Sequence, residues 1–291
     1  MVSWLIGCGG GGGGTSGDAG LSDGAGQDGQ GNQDAAIDAS LATNDHCANA
    51  IVISLSAMHS DITATTLGAT ADLAPPCGTA GAADVFFKFT LTRRELVYAD
   101  TFGASPDTAL YFASSCATAR TTSTTTGDDV CSTGACGTSQ SQVVALLDPG
   151  THYLVLASAG AATIHFQHTE VGTGTVAPLA QGTSAPTGTT SGFGGLYACD
   201  GGGAENAYWW RTCPADQGGA FQGSTCTGTA FDTILSLQIP GSDTVMCDDD
   251  TCSFQSTVSA NIPAGAGLFV IAVDGFSQVK QGSYTLSASR P

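Results

Sequence analysis

Val245-Met-Cys-Asp-Asp-Asp-Thr-Cys252 sets two cysteines around a short acidic loop, and the chain then passes through Ile262-Pro-Ala-Gly265 into the apolar run Leu268-Phe-Val-Ile-Ala-Val273. That run has no polar position, so it reads as a central β-strand covered on both faces. The same grammar occurs earlier: Asp128-Asp-Val-Cys131 and Cys136, then Leu147-Asp-Pro-Gly150, then Tyr153-Leu-Val-Leu156. Two copies in one chain make a tandem repeat.

Other features fall into the same order. Cys77 through Asp84 matches Cys199 through Asn206, and Val85-Phe-Phe-Lys-Phe89 then matches Ala207-Tyr-Trp-Trp-Arg211. Pro106-Asp-Thr-Ala-Leu110 matches Phe231-Asp-Thr-Ile-Leu235, and Asp148-Pro-Gly150 matches Pro263-Ala-Gly265. Each unit is roughly 120 residues, too long for a solenoid repeat and suited to a domain. Within each unit the runs are short and β-branched or aromatic, separated by Gly, Pro, Asp and Ser, and none is a long capped helix. The predicted fold is all-β: two tandem antiparallel β-sandwiches of jelly-roll kind after a disordered tether. The expected divisions are 1–7 (partial signal and lipobox), 8–43 (Gly/Asp/Ser-rich tether), 44–171 (first sandwich) and 172–291 (second).

With 7 Lys and Arg against 25 Asp and Glu, a formal charge of −18, the chain has no basic surface to track a phosphate backbone, which disfavours nucleic acid as a partner. Eleven cysteines without a Cys-x-x-Cys knuckle point to disulfides in an oxidising compartment rather than to zinc. Leu5-Ile-Gly-Cys8 resembles a bacterial lipobox, with Cys8 the lipidated residue. Val2 through Ile6 is shorter than a signal core and no Lys or Arg precedes it, so either the true start lies upstream or the lipobox match is chance. Lipidation would use the odd cysteine, leaving ten for disulfides. The expected location is the outer membrane or cell surface, with the membrane reached only through a lipid anchor.

The ordered motifs resemble the bacterial pre-peptidase C-terminal (PPC) domain and its cysteine-rich extracellular relatives. The residues carrying this are Asn44-Asp-His-Cys47, Asp84 through Leu91, Asp107-Thr-Ala-Leu-Tyr111 and Leu147 through Val155. In the second unit they are Phe231-Asp-Thr-Ile-Leu235, Cys247 through Cys252, Val273-Asp-Gly275 and Gly282-Ser-Tyr-Thr-Leu286. The resemblance implies a small β-sandwich in a secreted or surface protein, accessory to a protease or adhesive, and not itself catalytic. The second unit departs from the pattern: it lacks the Asn-Asp-x-Cys entry, gains Cys213 and has no counterpart of Cys116, so each unit holds five cysteines. Cys47–Cys77 and Cys213–Cys226 are the preferred pairs; one bond between units, or two free thiols, would even the count among Cys47, Cys77, Cys116, Cys131, Cys136, Cys199, Cys213, Cys226, Cys247 and Cys252. A direct Cys247–Cys252 bond and bonds from each to neighbouring strands are both open.

Carboxylates clustered on turns suit Ca²⁺, which takes hard oxygen ligands in flexible geometry. The candidate ligands are Asp232, Asp248, Asp249 and Asp250 in the second unit and Asp107, Asp128 and Asp129 in the first, with Asp274 able to join. The competing reading is that Asp caps turn amides and keeps a surface soluble. No cofactor is required by the motifs. His46, His59, His152, His165 and His168 read as structural or solvent-facing; His165 and His168 lie three apart on a strand and so face opposite sides. Trp209 and Trp210 also face opposite sides, one in the core and the other a candidate stacking platform, with burial of both the competing reading. No nucleophile elbow, zinc-protease helix or phosphate loop occurs. The expected function is non-catalytic binding of extracellular protein or polysaccharide. Alternatives are an envelope scaffold contacting other envelope proteins without a soluble ligand, and a hydrolase using Asp248–Asp250.

Overall fold

A computed structural model describes residues 41–77, 81–116, 118–119, 131–192, 199 and 201–291. The signal and tether expectations up to residue 40, Cys8 among them, and Asp128 and Asp129 lie outside the described residues. Among the described residues, the first backbone hydrogen bond is that of Ala42, whose N–H donates to Leu67 O at 2.9 Å.

The first half contributes β1 (Ile51–Val52), β2 (His59–Thr65), β3 (Asp84–Leu91), β4 (Glu95–Asp100), β5 (Thr108–Ser115), β6 (Thr118–Ala119), β7 (Cys131–Thr133), β8 (Gln142–Leu147), β9 (Gly150–Ser158) and β10 (Ala161–Glu170). The second contributes β11 (Val176–Pro178), β12 (Gly182–Ser184), β13 (Thr187–Thr189), β14 (Asn206–Thr212), β15 (Gly219–Ser224), β16 (Thr233–Gln238), β17 (Met246–Asp249), β18 (Thr257–Ile262), β19 (Gly267–Gly275), β20 (Ser283–Thr285) and β21 (Ser287–Arg290).

The repeat is visible as topology. In the first half, one sheet runs β1-β3-β9-β5 with β6 and β7 on β5, and a second runs β2-β10-β4-β8. In the second half the corresponding orders are β11-β14-β19-β16-β17 and β12-β21-β15-β18, with β13 and β20 as a separate ribbon. Almost every pairing is antiparallel, as expected, but the entry strands β1 and β11 pair parallel to β3 and β14. Several strands, β2, β4, β15, β17 and β21 among them, do not stand out as strands in the sequence; β4 is nevertheless buried at every position.

Side-chain alternation explains the layers. Phe87, Phe89, Leu110, Phe112, Leu154 and Leu156 meet Val97, Ala99, Val143, Ala145, Ile164 and Phe166 in the first core. Tyr208, Trp210, Leu235, Phe269, Ile271 and Val273 meet Phe221, Val258, Leu286 and Ala288 in the second. The intervening positions of the same strands form a third cluster: Leu96, Tyr98, Val144 and Leu146 against Ala207, Trp209, Leu268, Val270 and Ala272. Sheet β2-β10-β4-β8 therefore lies face to face with sheet β11-β14-β19-β16-β17, and residues 39–291 form one compact unit of four stacked layers. The run at 268–273 is covered on both faces for this reason.

Five disulfides pair all ten cysteines from Cys47 to Cys252: Cys47–Cys116, Cys77–Cys131, Cys136–Cys213, Cys199–Cys247 and Cys226–Cys252. The preferred pairs Cys47–Cys77 and Cys213–Cys226 are corrected. Cys77–Cys131 and Cys199–Cys247 occupy matching repeat positions, whereas Cys136–Cys213 joins the two halves, the bond between units that evens the count. The acidic loop is not closed on itself, since Cys247 and Cys252 reach separate partners.

Cys136 and Cys213 are 77 residues apart, so opening that bond releases a long loop in the unfolded chain. Replacing both cysteines by serine is expected to lower unfolding free energy by up to about 4 kcal/mol. Guanidinium titration monitored by tryptophan fluorescence measures this, against the parent protein.

Candidate functional site

At one end of the second sandwich, the turn before β16, the loop after β17 and the loop after β19 converge. Asp232, Asp249 and Asp250 bring carboxylate oxygens within 4.8 Å of one another there. Asp232 is 9% exposed; its Oδ2 lies 3.6 Å from Lys280 Nζ, and its Oδ1 is buried without a hydrogen-bond partner. Burial, then the charges of Asp250, Asp232 and Asp248, raise the Asp249 pKa above the usual carboxylate range. Asp250 holds φ at 69°, a left-handed conformation that Asp tolerates better than most side chains. Disulfides from Cys247 and Cys252 to separate segments hold the loop that carries Asp249 and Asp250.

The same end exposes large apolar side chains: Phe254 at 61%, Phe276 at 49% and Val279 at 83%. Backbone bonds knit the two phenylalanines to the acidic group, because Phe276 N–H donates to Asp232 O and Thr233 N–H donates to Phe254 O. Lys280 joins the two sets, its Nζ lying over the Phe254 ring at 5.7 Å. These apolar residues were not singled out in the sequence, where scattered Phe and Val in loops carry no periodic signal.

The remaining predicted residues separate. Asp248 accepts from Thr251 Oγ1 at 2.6 Å and from the Thr257 amide at 2.6 Å, so it braces the turn. Asp107 is exposed and belongs to no acidic group among the described residues. Asp274 sits 4% exposed on β19, accepting the Gly275 amide at 2.6 Å, and burial pushes its pKa up to about 7. Trp209 and Trp210 are each 3% exposed, so the stacking-platform expectation is corrected: Trp209 lies in the seam between the halves. Trp210 stacks on Phe269 at 4.8 Å and Phe221 at 5.1 Å.

The motif threonines have a role of their own. Thr108 of Asp107-Thr108 shares a hydrogen bond with Thr101 at 2.6 Å, while Ser141 Oγ donates to Thr108 O and Thr101 Oγ1 accepts the Ser141 amide. The second half repeats this with Thr225, Thr233 and Ser256, including the Thr225–Thr233 bond at 2.7 Å. In both copies the three residues are fully or almost fully buried.

A second acidic group lies at the chain entry, where His46 Nδ1 meets Asp72 Oδ2 at 2.5 Å and Nε2 approaches Asp45 Oδ2 at 3.5 Å. The hydrogen bond to Asp72, then the charges of Asp72 and Asp45, raise the His46 pKa. His168 pairs with Glu95 at 2.6 Å and His152 with Asp148 O at 2.8 Å, both within the scaffold.

A carboxyl whose pKa is raised on folding stabilises the fold below its unfolded value, and that contribution is lost as pH rises through the folded value. For Asp274 the window runs from 3.8 to about 7. Asp84, Asp100 and Glu170, all raised first by burial, act in the same direction. Melting temperature is therefore expected to fall between about pH 4 and pH 7. Differential scanning calorimetry of Asp274→Asn should show a shallower fall than the parent.

No family model matches the chain, and no curated protein matches it. Among solved structures, PliG of Aeromonas hydrophila, a periplasmic inhibitor of g-type lysozyme, is 14% identical, with 40% of this chain and 96% of that one covered at a TM-score of 0.28. A Eubacterium rectale protein predicted to be secreted is 14% identical over 72% of this chain and 70% of that one, with a TM-score of 0.21. Likenesses this slight carry no inference about this chain.

Proposed function

We propose that this is a non-catalytic, extracytoplasmic binding protein whose partner is a protein surface carrying positive charge. The observation that carries this reading is the exposure of Phe254, Phe276 and Val279 around the carboxylates of Asp232, Asp249 and Asp250. Apolar anchors with a charged surround are the composition of protein-contact patches. A formal charge of −18 steers cationic partners toward the whole molecule. The loops are held by two disulfides, so little ordering entropy is lost on contact.

The disulfides are the support for an oxidising compartment. Lipidation at Cys8 and display at the outer membrane remain part of the proposal, supported by the lipobox-like Leu5-Ile-Gly-Cys8 and by the pairing of every other cysteine. So does Ca²⁺ at Asp232, Asp249 and Asp250: the unpartnered Asp232 Oδ1 and two exposed carboxylates suit an oxygen-seeking cation. Such an ion would take over the role Lys280 now has beside Asp232. The hydrolytic alternative loses ground because Asp248 is committed to Thr251 and Thr257.

Two measurements check this. Biolayer interferometry against extracellular proteins graded by isoelectric point should find binding confined to basic partners and weakened by salt. Phe254→Ser with Phe276→Ser should reduce it at least tenfold, while binding that ignores both changes would sink the reading. Isothermal titration with CaCl₂ should give heat that Asp232→Asn with Asp249→Asn removes; a heat unchanged by these substitutions would place the ion elsewhere.

A further inference from the structure

A cleft of about 380 Å³ opens where the two sandwiches meet, away from the acidic tip. One wall is built by strand register. Asp61 of β2 lies opposite His165 of β10, which lies opposite Asp100 of β4, so the three stand abreast across the sheet. The next rung on the same face is His59, Gln167 and Tyr98. The other wall comes from the second half: Pro214, the Pro240-Gly241 turn and Gly265-Ala266-Gly267. None of these lining residues is ionisable, although Asp243, two residues past the turn, reaches His59. A Cβ on Gly267 would come 2.2 Å from Pro240 Cγ, so glycine is what lets that proline pack here.

The polar wall is largely satisfied internally, which shows what is left over. Asp100 accepts from Tyr98 Oη at 2.7 Å and from the Phe102 amide at 2.9 Å, using both oxygens. His165 points Nδ1 at Asp61 Oδ1, 2.8 Å away, and Nε2 at Phe102 O, 3.3 Å away. Burial opposes charge on that ring, but the Asp61 hydrogen bond and the charges of Asp100 and Asp61 outweigh it and raise the His165 pKa. Three side chains at the cleft keep hydrogen-bonding capacity, among them Ser60, whose Oγ is buried without a partner. Asp61 has its second oxygen, on a side chain 74% exposed. His59 keeps Nε2 buried and without a hydrogen-bond partner, its Nδ1 being 3.3 Å from Asp243.

We propose that this cleft is a second binding site, for an uncharged pyranose. Such a ring has an apolar C–H face for Phe102, Pro214 and Pro240 and a hydroxyl edge for Asp61 Oδ2, with His59 Nε2 lying unpartnered beneath the same wall. Other ligand classes fit less well. A phosphorylated ligand finds no Lys or Arg among the lining residues. A lipid chain would cover Asp61 and strip water from its free oxygen without replacing the hydrogen bonds. An organic cation finds few open carboxylate oxygens, because Asp61 Oδ1 and both Asp100 oxygens are already engaged. The volume is at the small end of ligand sites, enough for one or two sugar rings. Preorganisation comes from the joint itself. Gln142 Nε2 donates to Thr212 O at 2.8 Å, Gln167 Nε2 donates to Leu268 O at 2.9 Å, and Cys136–Cys213 closes the junction covalently.

Saturation-transfer NMR on the whole chain with a panel of free hexoses, N-acetylhexosamines and their disaccharides tests this. Transfer to at least one sugar is expected, weakened at least tenfold by Asp61→Ala with His59→Ala. Ala266→Trp, which fills the cleft from the opposite wall, should abolish it, with near-ultraviolet circular dichroism confirming that each variant is folded. Transfer to no sugar, transfer that survives both variants, or stronger displacement by methylguanidinium than by any sugar would overturn the proposal. The Phe254→Ser and Phe276→Ser protein should keep sugar binding, so failure here and failure of the tip reading are separate results.

Discussion

The constraint on which the rest of this structure depends is the apolar seam between the two inner sheets. A sandwich standing alone would leave the outer faces of β4, β8, β14 and β19 in water. Here those faces carry Leu96, Tyr98, Val144, Leu146, Trp209, Leu268, Val270 and Ala272, all nearly or completely buried. Burying side chains of this size stabilises by roughly 1.5–3 kcal/mol each, so the seam is comparable to a small domain core. Each half therefore has a surface that only the other half satisfies. The repeat behaves as one body for this reason, despite having two cores of its own.

Much of this was legible in the sequence. The strand 268–273 shows its two-sided burial by having no polar position, and the matched order of motifs corresponds to identical strand order in the two halves. Tyr208-Trp-Trp-Arg211 shows why the reading stops short. Alternation puts Trp209 and Trp210 on opposite faces, as predicted, but sequence does not say that the outward face meets a second sheet rather than solvent. β4 escaped notice because Glu95 and Asp100 bracket its apolar residues, and these are resolved only by partners far away in sequence, His168 for Glu95 and Tyr98 with Phe102 for Asp100. Disulfide pairing depends on distances between loops, which spacing along the chain does not encode.

The acidic motifs divide into two physical roles. In both copies of Asp-Thr, the threonine is the structural residue, locked with a second threonine and a serine under the sandwich end. The aspartate is free to differ: Asp107 is exposed, whereas Asp232 is buried beside Lys280. Repetition of the motif thus reports the fold, and the difference between copies reports the site. Asp248 and Asp249 make the same point over one peptide bond, the first capping a turn and the second facing Asp232 and Asp250.

The Cys136–Cys213 bond has a mechanical meaning as well. It closes a covalent ring that contains β8 to β14, and so includes one seam strand from each half, β8 and β14. Tension applied between the two ends of the chain would pass through the sulfur bridge and leave the ring slack. With 77 residues between the cysteines, the ring withholds on the order of 250 Å of contour length, at about 3.3 Å per residue. A protein anchored at one end and gripped at the other would carry the load across the junction on a covalent bond, so the two halves could not be pulled apart there without breaking sulfur from sulfur.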